Sequence, residues 1–397
     1  LPIVKRIVSR LPPLPTRLLV PHLDTVHNRV TVEIMRGCTR GCRFCHAGMV
    51  TRPVRERSVE EIVNALAVAL ESTGFSEVGL LSLSSSDYAP VLDLIRAIRA
   101  RFDGQGLNIS LPSLRIESFS VELMEALSGS ARRGGFTLAP EAATEHLRNL
   151  INKSVSTEQL LDTARAIYER GWHTIKLYFM IGHPEETLDD VEAIAKLCHE
   201  VLAVGRRALG GRAKVHVSVG TFVPKPHTPF QWAIPDTPDH IRDKQRLLRD
   251  RLRARAFKVN WTDPRETMLE ARLSRGDRRL ADVIERAYHL GARFDAWQEH
   301  FSPQRWEQAF ADAGVDPAFY THRQRDADEV FPWDHLAIGV DKAFLRKDYE
   351  DALLGQTTVD CRERCHACGI LQRFPDAWRE DGATWKCPPP KPIEAAS

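Results

Sequence analysis

The chain has 397 residues, a formal net charge of +2, and hydrophobic and charged fractions of 43% and 27%. That length exceeds one ordinary core, and the balance is that of a soluble globular chain with two domains. The near-neutral charge excludes a global field for nucleic acid, and no apolar run approaches the roughly 20 residues a membrane span needs.

Residues 1–29 carry Pro2, Pro12, Pro13, Pro15 and Pro21 and read as a linker or wrapping arm, with Leu18, Leu19 and Val20 packing on something. There is no signal-peptide pattern, and the first residue is Leu1, so the chain reads as a piece of a longer one. Six of the eight cysteines fall in two tight triplets, which suggests metal sites in a reducing compartment, the cytoplasm, rather than a disulfide scaffold.

The β-branched run Val30 to Arg36 predicts a first strand. Ser58 and Glu61 form a capping box that opens a helix over about Val59 to Ser72. Between them lies RGCTRGCRFCHAG, with Cys38, Cys42 and Cys45 in a C-x3-C-x2-C spacing on a strand-to-helix loop. Gly37, Gly41 and Gly48 let that loop fold tightly. Three thiolates on one short loop can hold three irons of a 4Fe–4S cube and leave the fourth open. The alternative is zinc, with His46 as fourth ligand.

Further units follow. Strands are expected at about Glu77–Leu83, Leu107–Leu111, Gly135–Ala139, Thr174–Ile181 and Lys214–Val223. Helices fall near Val91–Arg101, Val121–Leu127, Thr144–Ile151, Thr157–Arg170 and Leu188–Val204. The helix from Thr157 places Leu160, Leu161, Ala164, Ile167 and Tyr168 on one face. Six strand–helix units argue an α/β fold with a parallel sheet that curls into an incomplete (βα)6, TIM-like barrel over residues 30–235. Barrel sites lie at the carboxyl ends of the strands, the face that carries the cysteine loop. Cys198 reads as a core residue.

This loop, with Phe44 before its third cysteine, closely resembles that of the radical SAM superfamily. The strand ends SSSDY, APEA, FMIGHPEET and FVPKPHTPFQW resemble that family's branch containing the methylthiotransferases, over about Arg29 to Trp232. The resemblance implies a barrel that binds S-adenosylmethionine (SAM) at the open iron and cleaves it, on one-electron reduction by a flavodoxin- or ferredoxin-type donor, to a 5′-deoxyadenosyl radical. It implies cofactor contacts from Ser84, Ser85, Ser86 and Asp87, where the family's GGE-type motif lies, although the glycines and the Glu are missing here. Asp87 equally suits helix capping. Ser113 and Arg115 would reach the SAM carboxylate or the substrate. Glu141 stands at the ribose-binding position, with a salt-bridged loop acid as the alternative. Gly182 and Pro184 match the turn that approaches the adenine.

Past Trp232 the pattern changes, and residues 236–397 read as a mostly helical C-terminal region. The basic helix from Asp239 to about Ala256 reads as a solvated outer helix with Leu247, Leu248 and Leu252 inward, or as an RNA-facing helix. Phe257 to Trp261 suits a further strand, and Trp297 and Trp306 suit core or groove positions. Cys361, Cys365 and Cys368 repeat the first spacing. With Cys387 they suit a closed, second 4Fe–4S cluster, or a zinc site using His366 or Cys387. Stretches such as RGDRRLADVIERA and DCRERCHACG resemble an uncharacterised branch of radical SAM proteins in which a cobalamin-binding-type domain precedes the barrel; this chain has no such domain and no cobalamin ligand is assigned in it. The resemblance implies a radical SAM enzyme acting on RNA or a ribosomal component. The alternatives are cobalamin-dependent methyl transfer in a full-length protein and a non-catalytic Fe–S or zinc protein that binds RNA.

Overall fold

In a computed structural model, which describes residues 2–23, 25–111, 115–116, 121–127 and 135–388, strands and helices alternate in the expected order. Strands β1 (Val30–Glu33), β2 (Glu77–Leu81) and β3 (Asn108–Ser110) pair in parallel and in sequence order. So do β4 (Phe136–Glu141), β5 (Thr174–Ile181) and β6 (Lys214–Thr221). Phe257–Trp261 forms β7, parallel to β6 with Phe257 opposite Val215. Each strand lies beside its sequence neighbour, as parallel β–α–β units produce. Among the described residues no ladder joins β3 to β4, so the sheet runs as two arcs of a half-open barrel.

Each arc has its own core. The first buries Val30, Val32, Val78 and Leu80 against α2 (Val59–Thr73) and α3 (Val91–Arg101), following α1 (His46–Val50) in the cysteine loop. The second buries alternate β5 residues, Ile175, Leu177, Phe179 and Ile181, under α5 (Thr157–Glu169), α6 (Leu188–Leu209) and α7 (Pro238–Arg251). On α5 the expected face is inward at Leu160, Ala164, Ile167 and Tyr168, and Ser156 with Gln159 forms its capping box. Cys198 is buried in this core. At α2 Ser58 accepts from the Glu61 amide, but the Glu61 carboxylate pairs with Arg57 instead of closing a capping box.

Strand four departs from expectation. It continues through Pro140, which cannot donate to the ladder, and the pairing with β5 shifts between Leu138 and Glu141. Glu141 is left at the strand's carboxyl end with φ of +67°. It is followed by α4 (Glu145–Leu150).

The arm wraps. Ile3–Val4 pairs with Leu336–Ala337, Val8 and Ser9 accept from Arg55 and Trp385, and Leu14 and Leu18 pack on the first core. Leu19 and Val20 stay exposed. The basic helix α7 turns Leu248 inward, while Arg242, Arg246 and Arg251 pair with Asp239, Asp243 and Glu192 on its solvated face. Trp306 is buried, whereas Trp297 is 59% exposed. Further on, α8 (Lys342–Leu353) brings the chain back over the cysteine loop. Among the described residues no helix is long and apolar enough to cross a membrane.

Candidate active site

The cysteine loop is tied off at its base. Beyond β1, Met35–Arg36 pairs antiparallel with Arg55–Glu56, and the Arg57 amide donates to the Ile34 carbonyl at 3.0 Å. Gly37 sits at the closure with φ of +94°; a Cβ there would lie 2.9 Å from the Pro53 carbonyl oxygen. Gly41 also takes a positive φ, +69°. Gly48 serves differently from the expected turn role. It lies within α1, where its amide donates to Cys45 Sγ at 3.3 Å and a Cβ would stand 3.4 Å from that sulfur.

Arg43, fully buried, anchors the loop. Its Nε donates to Asp348 Oδ1 at 2.9 Å, Nη1 to the Asn149 and Leu150 carbonyls at 2.9 and 3.1 Å, and Nη2 to the Gln356 carbonyl at 2.6 Å. Phe44 packs with Phe222 and Phe230 at the ends of β6 and beyond. Cys42 is buried, and Cys38 and Cys45 are half-buried. Burial pushes Cys38 up to about 11, against a hydrogen bond from the Arg40 amide, and also raises Cys45 against the Gly48 amide. Such thiols ionise readily only when a cation takes the proton's place, which fits metal ligation. Arg115 Nη1 lies 3.6 Å from Cys42 Sγ. Among the described residues, no three His, Cys, Asp or Glu side chains converge as the ligands of one ion. His46 instead faces Lys225 and His227.

The strand-two residues are packed more tightly than a free binding motif. Ser84 donates to Asp87 at 2.6 Å, and Ser85 donates to the Leu80 carbonyl at 3.2 Å. Ser86 Oγ accepts from the Arg115 amide at 2.9 Å. Asp87 is the centre of an arginine cluster. It takes a two-pronged contact from Arg40 and has Arg362 at 3.7 Å and Arg115 at 3.9 Å. Burial alone would raise its carboxyl, but Arg40 and Ser84 hold it below the usual range. Ser113 lies outside the described residues.

Glu141 is brought to the cysteines by its unusual backbone. Burial raises its carboxyl, offset by the charges of Lys153, His183 and Arg115, and Lys153 Nζ lies 3.6 Å away. Glu141 and Lys153 both act on the Cys45 thiol. Lys153 was not singled out from the sequence; its only mark is its place just after α4. His183, in the strand-five turn beside Gly182 (φ +87°), was also missed. It stacks on Phe222 at 5.5 Å, pairs through Nδ1 with Glu186 at 3.2 Å, and its Nε2 has no hydrogen-bond partner among the described residues.

The second triplet lies against the first. The Cys361 amide donates to the Thr39 carbonyl at 3.0 Å, and Asp360 takes the Thr39 hydroxyl at 2.7 Å and Arg40 at 3.3 Å. His366 turns Nε2 to the Val359 carbonyl at 2.9 Å.

Three thiols on a strand-one loop at the mouth of a parallel half-barrel define a class of barrel built around an iron–sulfur cluster. Residues 32–198 match the Radical SAM superfamily model, and this stretch of the chain is a radical SAM domain. The match carries with it a 4Fe–4S cluster and SAM as the domain's cofactors. An uncharacterised protein of Methanocaldococcus jannaschii is 28% identical over 284 residues, 72% of this chain and 60% of its own length. A tRNA-2-methylthio-N(6)-dimethylallyladenosine synthase of Chlorobaculum tepidum is 28% identical over 227 residues, 55% of this chain and 47% of its own length. Among solved structures, the radical S-adenosylmethionine methyltransferase TsrM of Kitasatospora setae aligns over 52% of this chain and 39% of its own, at 18% identity and a TM-score of 0.42. The chain thus spans about three fifths or less of these relatives.

Proposed function

We propose that this chain is the catalytic part of a radical SAM enzyme that cleaves SAM reductively and modifies RNA or a ribosomal component. The observation that carries the reading is the company the cysteine loop keeps. Beside the thiols stand two cations, Arg115 and Lys153, and one buried acid, Glu141. The methionine end of SAM offers one carboxylate and one ammonium, which such a set complements. When bound, the cluster and SAM supply a 5′-deoxyadenosyl radical, with the electron coming from a flavodoxin- or ferredoxin-type donor.

The chain's own residues do the rest. Cys38, Cys42 and Cys45 hold three irons. Arg115 and Lys153 place positive charge for the carboxylate, and Glu141 accepts from an ammonium or a ribose hydroxyl. Ser84, Ser85 and Ser86 shape the strand-end wall, with Asp87 acting mainly through Arg40 and Arg115. Residues 30–235 form the barrel, and the C-terminal region, through Asp348 and Asp360, covers its loop and excludes water. An RNA target is supported by the tRNA-modifying relative, and it stands as a proposal on that kinship.

The test is anaerobic. Reconstituted, reduced protein should turn SAM into 5′-deoxyadenosine, measured by chromatography and mass spectrometry. Replacing Cys38, Cys42 and Cys45 together by Ala should abolish the product. Unchanged product formation in that variant would refute the assignment.

A further inference from the structure

Cys361, Cys368 and Cys387 line one small cavity of about 30 Å3 together with Cys38 and Arg52. Cys365 is near enough for its charge to act on both Cys361 and Cys387. The placement of Cys387 is built. Trp385 bridges to Arg55, the Lys386 amide donates to the Val54 carbonyl at 3.1 Å, and the next residue therefore falls at the cavity. Cys365 Sγ accepts from the Ala367 amide at 3.5 Å, across a turn in which Ala367 and Gly369 take φ of +51° and +101°.

Arg52 is the second, independent observation. It is 5% exposed, makes no ion pair within 4 Å among the described residues, and leaves Nε and Nη1 without a hydrogen-bond partner, although Cys368 and the charge of Asp348 both act on it. Its guanidinium stacks on Phe344 at 5.6 Å and acts on Cys361 and Cys368. Burying an unpaired cation is costly unless negative charge is supplied nearby. Lys5 adds a further cation, held to the Val50 and Arg52 carbonyls at 3.0 and 2.9 Å. Thiolates around a cluster would add negative charge directly beside it, beyond that of Asp348.

We infer that Cys361, Cys365, Cys368 and Cys387 form the closed ligand set of a second iron–sulfur cluster, with Arg52 as the positioning residue that supplies its buried counter-charge. Four thiolates complete the coordination without His366, whose Nε2 is turned to the Val359 carbonyl. Four thiolates leave no iron open, so this cluster does not bind SAM. Its ligand Cys361 is one hydrogen bond from Thr39, so the two cysteine α-carbons, 38 and 361, are at most about 11 Å apart by standard backbone dimensions. This inference goes beyond the SAM-cleaving role and does not depend on it.

The test uses the full chain with Cys38, Cys42 and Cys45 replaced by Ala. It should retain about four irons, half those of the parent. Its low-temperature paramagnetic signal, after reduction, should ignore added SAM. In the parent, alkylation mapped by mass spectrometry should find Cys387 protected together with Cys361, Cys365 and Cys368, and all four released together by an iron chelator. Arg52→Gln should move the cluster's midpoint potential to a more negative value, since a lost cation and donor destabilise the reduced form, and Arg52→Lys should restore part of the shift. Stoichiometric zinc that survives anaerobic iron loading would overturn the iron–sulfur assignment, and a Cys387 alkylated while the other three are protected would overturn the ligand set. An unmoved potential in Arg52→Gln would overturn the role of Arg52.

Discussion

Replacing Arg43 by methionine removes the anchor between Cys42 and Cys45 while keeping a long apolar side chain. The arginine is fully buried, and it gives one charged hydrogen bond to Asp348 and three to the carbonyls of Asn149, Leu150 and Gln356. Asp348 is itself 4% exposed, so the substitution leaves a buried carboxylate without its hydrogen-bonding cation. Breaking one side of a buried pair typically costs about 3–5 kcal/mol. The unsatisfied carbonyls push towards the upper end of that range, although such terms do not add. Urea unfolding of the anaerobically loaded chain, followed by far-ultraviolet circular dichroism, reads the loss directly. Adding Asp348→Leu should recover a good part of it, because an apolar pair leaves no buried charge. A loss under about 1 kcal/mol in the single variant would refute the argument that this pair fixes the loop.

Other outcomes are also expected. Gly37→Ala forces a Cβ into a left-handed backbone 2.9 Å from the Pro53 carbonyl oxygen, so it should lose about 1–2 kcal/mol from the backbone alone. Iron content and melting temperature equal to the parent's would contradict it. Glu141→Gln should weaken SAM binding in equilibrium dialysis with iron content intact, since the pairing with Lys153 is lost; parental affinity would make Glu141 purely structural. His227 is held down from 6.5 to about 4 by burial, with His46 beside it. Its protonation therefore favours the unfolded chain: the contribution is whole above pH 6.5 and is lost as pH falls towards 4. His227→Asn, which suits the φ of +54°, should flatten stability against pH in that window; an unchanged slope would place the titrating group elsewhere.

The barrel was legible because each unit announces itself locally. Alternation marks β5, spacing marks the inner face of α5, and a strand leads into each loop. The first cysteine loop was legible for the same reason, since its spacing is a short-range pattern. What the sequence hid depends on distance along the chain. Nothing near Thr39 says that Asp360 will take its hydroxyl, or that Arg362 will reach Asp87. Lys153 looks like any loop lysine until the bulge at Pro140 turns Glu141 towards it. The serines after β2 read as a cofactor motif, but their hydroxyls are engaged within the fold. Gly48 reads as a turn residue and is instead the space that lets an amide meet a sulfur.

The contact between Thr39 and Asp360 spans 321 positions. On a translating ribosome, at about 5–20 residues per second, the first cysteine loop emerges some 15–65 s before the segment that covers it. For that interval Cys38, Cys42 and Cys45 are nascent, accessible thiols on a barrel still being made. A synthesis pause before residue 360 would lengthen their exposure to oxidants and stray metals, and the covering segment arriving late would close over whatever had bound.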